Sequence, residues 1–554
     1  MGNQLVWFKR DLRVNDHAPL IEAAKRGPVV CVYVYEPELY QANDFDACHL
    51  VFINQSLVQL KENLARLGST LICLHNNLPQ AFESICSALQ IQQVWSHEET
   101  GNDITYKRDI RLGQWLQAQG IGWTEVPQTG VVRRLKNRDG WARQWRKRME
   151  KPVLSAPDPA TDGLEALKLP EGFNNNDRSN WNDWDVGILD AKTLELAPST
   201  KSKALAGGEN QAHQTLNDFL NERGEHYQKE MSSPLVAFDS CSRISPYLAY
   251  GNLSMRQVVH QTKQRVAALQ EIKGYGSNWL RSMRSFEKRL HWHCHFMQKL
   301  EDEPTLEWQN LCRSFDGLRE NDWNDDYFEA WKKGETGYPM IDACMRALHQ
   351  HGWINFRMRA MLVSFASYQL WLDWRPTSVY LARQFLDYEP GIHYSQVQMQ
   401  SGVTGINAIR IYSPIKQVLD QDPKGEFIKQ YCPELAALPA EYIAEPYTMP
   451  PLLQQMAGIQ IGKDYPLPVV DHKTAYKAAR DKIYQAKRTP ETRALAQAVF
   501  QKHGSRQNSR RQSGSKQGNK QVSKPSSQIP QESGKILQED SQADQAFQKA
   551  GHQQ

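Results

Sequence analysis

Short apolar or β-branched runs punctuate the first part of the chain: Gln4–Phe8, Val29–Tyr35, Thr70–His75, Gln93–His97 and Gly122–Val126. Between them the apolar positions take a helical spacing, as in Val51–Leu67 and Leu78–Leu89. Strand-length runs alternating with amphipathic helices predict a parallel sheet with helices on both faces, so residues 1–130 are expected to form a doubly wound α/β domain. From about Ala206 the period changes. Gln211–Lys229, Ser254–Ile272, Asn278–Lys299, Asp342–Gln350 and Asn355–Leu372 read as amphipathic helices with few strand candidates among them, and residues 206–490 are expected to form an all-helical domain.

Residues 131–205 lie between the two. They open with a basic helical stretch and continue through Lys151–Ser202, rich in Pro, Asn, Asp and Gly, which reads as a long connection wrapping the surface. Residues 491–554 become polar and rich in Gln, Ser and Lys. Such a composition cannot bury enough surface to offset ordering entropy, so a disordered tail is expected.

A chain of 554 residues is too long for one core, in keeping with two domains. It has no run of some twenty apolar residues and no apolar signal core after Met1, so a cytoplasmic protein without a membrane span is expected. Nine scattered cysteines with no CxxC pair read as reduced thiols, mostly in cores. The net charge of +4 singles out no partner, but Arg133–Lys151 (RRLKNRDGWARQWRKRMEK) is strongly basic, either a solvated helix face or a surface that meets phosphates through residues such as Arg143 and Arg146. No GxGxxG follows the first strand and no GxxxxGK[ST] occurs, which argues against the usual dinucleotide fingerprint and against a P-loop nucleotidase.

Four stretches carry candidate chemistry. FKRDLRVNDHAPL (Phe8–Leu20) crowds charges into the loop after the first strand. CSRISPYLAYGNLS (Cys241–Ser254) sets Ser242, Arg243 and Ser245 at a helix start, which suits either a phosphate or a plain cap at Ser245. In HWHCHF (His291–Phe296) only His291 and His295, four apart, share a helix face, and ordinary helical histidines rather than a metal site are expected. Gly337–Leu435 places Trp353, Arg357, Arg359, Trp374, Asp387, Glu389, His393 and Asn407 in apolar helical sequence, where charges must pair with each other or with a ligand.

These stretches, in this order, resemble the photolyase/cryptochrome family over about residues 1–130 and 206–440. The resemblance implies non-covalent FAD in the helical domain, with Tyr227, Ser242, Ile244 and Ser245 on the diphosphate and ribityl chain and Arg243 within reach. It implies Arg359, Asp387 and Glu389 around the ring and His393 facing flavin N5, where a histidine titrating near neutrality is expected to deliver a proton. Trp292 and Trp353 fall on the lesion side, and Trp374 matches the middle of an electron-carrying tryptophan chain. Three positions depart from the family pattern. Arg289 stands where a lesion-binding carboxylate or amide is usual, Val397 replaces the flavin-proximal tryptophan, and Met399 replaces an aromatic of the lesion pocket; Tyr394, Trp371 or Tyr412 are candidates for another electron route.

The implied activity is blue-light repair of pyrimidine photolesions, in which reduced FAD donates an electron to a flipped dimer and recovers it. The alternative is a cryptochrome-like photoreceptor signalling to a protein partner. The expected partner is damaged DNA and the expected state a monomer. A folate or deazaflavin antenna is a further implied cofactor, although the carboxylate that anchors folate in relatives falls near Thr105.

Overall fold

Five parallel strands form the sheet of the N-terminal domain: β1 (Asn3–Phe8), β2 (Val29–Tyr35), β3 (Leu71–His75), β4 (Ile91–His97) and β5 (Gly122–Val126), in the order β3-β2-β1-β4-β5. The structure is a computed structural model and describes residues 2–156, 184–271 and 277–504. Leu5 of central β1 lies opposite Val30 on one side and Val94 on the other. Alternate residues serve opposite faces. Val6 and Phe8 join Leu20 of α1 (Ala18–Ala24) and Phe52, Leu57 and Leu60 of α2 (Ala47–Arg66). Leu5 and Trp7 join Phe82 and Ile85 of α3 (Gln80–Ala88) and Leu112 and Leu116 of α4 (Asp103–Ala118). Burial on both faces is why these strands read as continuous apolar runs.

Helix α5 (Trp141–Met149) holds the basic stretch. The helical domain follows with α6 (Glu209–Asp218), α7 (Met255–Glu271), α8 (Ser277–Asp302), α9 (Pro339–His351), α10 (Phe356–Ser364), α11 (Trp374–Gln384), α12 (Pro390–Gln400), α13 (His472–Lys487) and α14 (Pro490–His503), with shorter helices between. Among the described residues no helix is long and apolar enough to cross a membrane. All nine cysteines are buried and unpaired.

The loop after β1 stitches the α/β and helical parts together. Arg13, 1% exposed, donates to the carbonyls of Asn15 (3.0 Å), Asp16 (3.1 Å) and Gly251 (2.8 Å) and to Gln128 Oε1 (2.9 Å). Leu12 N donates to Tyr250 O (3.1 Å), and Asn252 Nδ2 returns a bond to Leu12 O (2.9 Å). Asp16 accepts from Ser254 and Arg256. Gly251 has φ +69°, and a Cβ there would lie 2.3 Å from Arg10 O, so the close approach needs glycine. Arg10 reaches further, donating to Tyr388 O at 2.9 Å.

Three expectations are corrected. Gln211–Lys229 is not one helix: α6 gives way to a π turn at Phe219–Arg223 and a 3₁₀ turn at Gly224–His226 before Tyr227–Glu230. Arg223 explains the break, because it bonds Asp218 and the carbonyls of Asp239, Cys241 and Ser242 and holds that turn to another segment. Asn355–Leu372 likewise breaks after Ser364 into a π turn, Phe365–Gln369. The tail does not begin at 491, since Thr489 caps α14 by accepting from Thr492 N at 3.1 Å; residues 505–554 of the expected tail, and 157–183 of the expected linker, lie outside the described residues.

Glu209, buried at the start of α6, accepts from Val14 N (3.0 Å), Asn15 N (3.1 Å), Asn15 Nδ2 (2.8 Å) and Asn63 Nδ2 (3.1 Å). Glu209→Ala strands these donors. It should lower the unfolding free energy by about 3 kcal/mol in urea melts followed by circular dichroism, with both domains losing structure in one transition.

Candidate functional site

Arg223 sets the geometry of the phosphate candidates by fixing the backbone at Cys241 and Ser242. The next residue, Arg243, then sits at φ +59°, an uncommon conformation for a side-chain-bearing residue. Its guanidinium lies over the rings of Trp353 (4.2 Å) and Phe238 (5.1 Å), and burial lowers its pKa to about 10. Tyr227 is buried edge-on to Phe219 (5.5 Å), and the Arg289 guanidinium is close enough to act on its hydroxyl. Ser245 opens a short helix, Ser245–Ala249, but Ile244 is the cap residue, so the reading of Ser245 as a helix cap fails. Among the described residues the Ser242 and Ser245 hydroxyls have no protein partner, and neither Arg243 nor Arg289 meets a carboxylate within ion-pair distance.

Arg289 stands beside Tyr227, Met231 (Sδ at 3.8 Å) and Cys241, among the phosphate candidates. Three residues back from Trp292 on α8, it is rotated by about 60° around the helix toward that side.

The ring candidates gather at α10 and the start of α12. Arg359 makes a two-pronged pair with Asp387 (2.9 and 2.9 Å), donates through Nε to Ile354 O (2.8 Å) and lies 4.1 Å over Phe385. Both charges act on Arg243, which places the phosphate and ring candidates in one neighbourhood. Glu389 pairs with His293 at 2.7 Å; burial opposes the charge on His293, but Glu389 outweighs it and lifts the pKa to about 10.

His393 behaves otherwise than expected. Burial pushes its pKa down to about 4, so it is neutral at physiological pH. Nε2 lies 2.8 Å from Ser378 O, and because a carbonyl only accepts, that nitrogen carries the proton and Nδ1 is the acceptor. His393 therefore accepts a hydrogen bond at Nδ1, and burial holds its titration below neutrality.

Trp292 is half-buried, stacked at 5.7 Å on Phe296 and edge-on to His295 at 5.0 Å. Met399 is half-buried one residue from the end of α12. Trp374 is 1% exposed and donates to Asn310 Oδ1 (2.7 Å). With Val397 in the core, the rings nearest in succession are Trp374, Tyr394 at 6.4 Å and His393 at 5.3 Å from Tyr394. On α5, Arg143 and Arg146 are exposed.

His291 and His295 share no ligand point. His291 packs against Trp141 and Trp145 (5.0 and 5.0 Å), and His295 Nδ1 lies 3.4 Å from an Arg138 donor. A cluster the sequence did not suggest, Asp11 with His17 (3.0 Å) and His97 (2.7 Å), brings three ligand types together. Leu20 N donates to His17 Nδ1, so His17 Nε2 bears a proton and donates to Asp11. This is a hydrogen-bonded support for the loop, since a metal would need that same Nε2 lone pair.

FAD fits the site on two observations. Two largely buried guanidiniums lack counter-charges, and His293 Nδ1, Asn355 Oδ1, Ser395 Oγ and Arg243 Nε are buried without a protein partner. An antenna fits less well. The crevice at the carboxyl ends of β1 and β4, where open α/β sheets take ligands, is closed by Lys9, Glu36, Glu99 and Arg108, which neutralise one another. Thr105 is spent on the carbonyl of Asn102 (2.9 Å).

Sequence reasoning missed Arg223 and His293. The first has no motif signal, because it acts on carbonyls remote in sequence. The second was visible in HWHCHF, but spacing spoke only to metals.

Histidine NMR should find His293 charged until the pH approaches about 10 and His393 neutral down to about 4. Because the His293 pKa is raised on folding, its stabilising contribution is complete below about pH 6.5 and declines as the pH rises toward 10. Glu389→Gln should return His293 to titration between about pH 5 and 7 and flatten that decline, leaving His393 unmoved.

Residues 4–151 match the family described as DNA photolyase, and residues 286–485 match the FAD binding domain of DNA photolyase. The chain is 29% identical over 512 residues to a deoxyribodipyrimidine photo-lyase of Agrobacterium fabrum, covering 88% of this chain and 98% of that one. It is 28% identical to a Cryptochrome DASH of Gloeobacter violaceus, covering 87% and 95%. Among solved structures it is similar to a bacterial class III photolyase from Agrobacterium tumefaciens, with TM-score 0.73, 27% identity, and 88% and 98% of the two chains covered.

Proposed function

The chain belongs to the photolyase/cryptochrome family and is an FAD-binding flavoprotein, and from that premise we propose that it repairs pyrimidine photolesions in DNA under blue light. The observation that carries the reading is Trp292. Its half-exposed ring stands on α8 one residue before His293, whose ion pair with Glu389 leads into the ring candidates. A flipped base stacked on Trp292 thus lies one helical step from the cofactor side.

FAD, when bound, supplies blue-light absorption and single-electron transfer. The chain's part is positioning. Arg243, Arg289, Ser242, Ser245 and Tyr227 receive the diphosphate and sugar. The Arg359–Asp387 pair, anchored on Ile354 O, fixes a donor–acceptor edge toward the ring. Protonated His293 beside Glu389 gives that edge a positive group, which favours negative charge on the ring. Neutral His393 offers the Nδ1 lone pair. Trp353 closes the side over Arg243. The lesion reaches this site only when flipped from the stack, and Arg143 and Arg146 meet flanking phosphates.

A second reading, a photoreceptor that signals without repair, is favoured by the orientation of Arg289. With that residue turned to Tyr227, the position where relatives place a lesion-binding carboxylate or amide offers neither.

The test is a dimer-containing oligonucleotide illuminated with the FAD-loaded protein. Repair is expected, and Trp292→Ala should weaken lesion binding by about tenfold while keeping the flavin spectrum, since base–aromatic stacking contributes about 1–3 kcal/mol. A light-induced flavin spectral change without repair decides for the photoreceptor.

A further inference from the structure

Asp44 lies in the α/β domain just before α2, where that domain meets the helical one, and it is 8% exposed. A carboxylate buried this far normally meets a cation. Among the described residues Asp44 meets none within ion-pair distance. Both of its partners are neutral and both reach Oδ2: Asn102 Nδ2 at 3.0 Å and the Tyr388 hydroxyl at 2.6 Å. The Asp44 charge also acts on Glu307, which adds repulsion and no compensation.

The bond from Tyr388 has the length of a hydroxyl donating to an ionised carboxylate. Tyr388 is itself buried between the ring candidates Asp387 and Glu389, and its ring stands edge-on to His393 at 5.3 Å. Burial and the Asp44 charge lift its pKa far above the ordinary phenol range, so it keeps its proton in the dark. His49 stacks on it from α2 at 6.3 Å and is held neutral by burial. A buried phenol is hard to oxidise, because losing an electron alone leaves a positive charge in apolar surroundings. A base within hydrogen-bond reach removes that cost by taking the proton as the electron leaves. Tyr388 has such a base. Tyr227 faces the Arg289 guanidinium, which accepts no proton, and the Tyr394 hydroxyl has only that of Tyr388, 3.4 Å away.

We propose that Tyr388 and Asp44 form a proton-coupled electron donor, shared between the two domains, for the light-excited flavin. Tyr388 gives one electron to the oxidised flavin and its phenol proton to Asp44 Oδ2, which leaves a neutral tyrosyl radical and a protonated Asp44. A soluble thiolate returns the electron and becomes a thiyl radical, and Asp44 returns the proton. The inference rests on the blue-light reading and deepens it by naming the group of the chain that supplies the electron. It also gives the junction a chemical part, since the donor comes from one domain and its base from the other.

The experiment illuminates the full-length FAD-loaded protein with blue light and follows the tyrosyl radical by electron paramagnetic resonance, in ordinary and in heavy water. The wild type should give the radical, more slowly in heavy water. Tyr388→Phe should abolish the signal, and Asp44→Asn should lower its yield at least about tenfold by removing the base. Tyr394→Phe should keep it. The dark flavin spectrum should be the same in all variants, which separates a lost donor or base from a lost fold. A signal that survives in Tyr388→Phe or is undiminished in Asp44→Asn overturns the pair and leaves the blue-light reading standing. So does a wild type that forms the radical equally fast in both waters, or whose flavin responds to light without any tyrosyl signal. A wild-type flavin whose spectrum light does not change overturns both.

Discussion

The buried loop after β1 is the contact on which the rest of the structure depends. Between Lys9 and Asp16 the chain places Arg10, Arg13 and Asp16 where helical-domain groups meet them, with Asp11 held between His17 and His97. Arg13 and Asp11 are each 1% exposed. Isolated, either charge would cost several kcal/mol to bury; here Arg13 has four acceptors, and Asp11 has two histidines and a backbone donor. The loop binds Tyr250–Asn252, close after the phosphate candidates, and through Arg10 it binds Tyr388, between Asp387 and Glu389. A segment of the α/β domain thus sets the spacing between two parts of the helical domain's site. This gives the N-terminal domain a structural task in the candidate flavin site.

Pairing also separates the site from the scaffold. In the α/β domain Lys9, Arg108, Glu36 and Glu99 answer one another, and α6 offers Glu209 to the loop. Around Cys241 the balance fails. Arg223 and Arg359 have carboxylates, while Arg243 and Arg289 do not. Folded proteins rarely leave largely buried guanidiniums unanswered without a ligand to supply the anion, and the deficit is local, at the turn whose serines are also unengaged.

Legibility in the sequence followed the range of the forces involved. The strands were readable nearly to the residue because both faces of a parallel sheet are apolar, a local property. The helix breaks at Phe219 and Phe365 were not, because their causes lie elsewhere: Arg223 grips carbonyls at 239–242, and Ser364 accepts from Tyr412 N. At the site, the Asp387 and Glu389 positions were visible in order and spacing, but their partners were not. Arg359 and His293 are distant in the chain, and only the folded structure shows which carboxylate each one holds. His393 shows the same limit: its identity was plain, but its protonation is set by burial and by the carbonyl of Ser378.

A histidine held neutral, with its proton committed to Ser378 O, has no proton to release at physiological pH. The positive group that the chain keeps near the ring is His293, fixed by Glu389. The two histidines are thus held in fixed states through the physiological range, one by burial and the other by its ion pair with Glu389. Arg289 adds a second fixed positive charge: beside Tyr227 and Cys241 it joins Arg243 in a cationic cradle that no carboxylate of the chain answers.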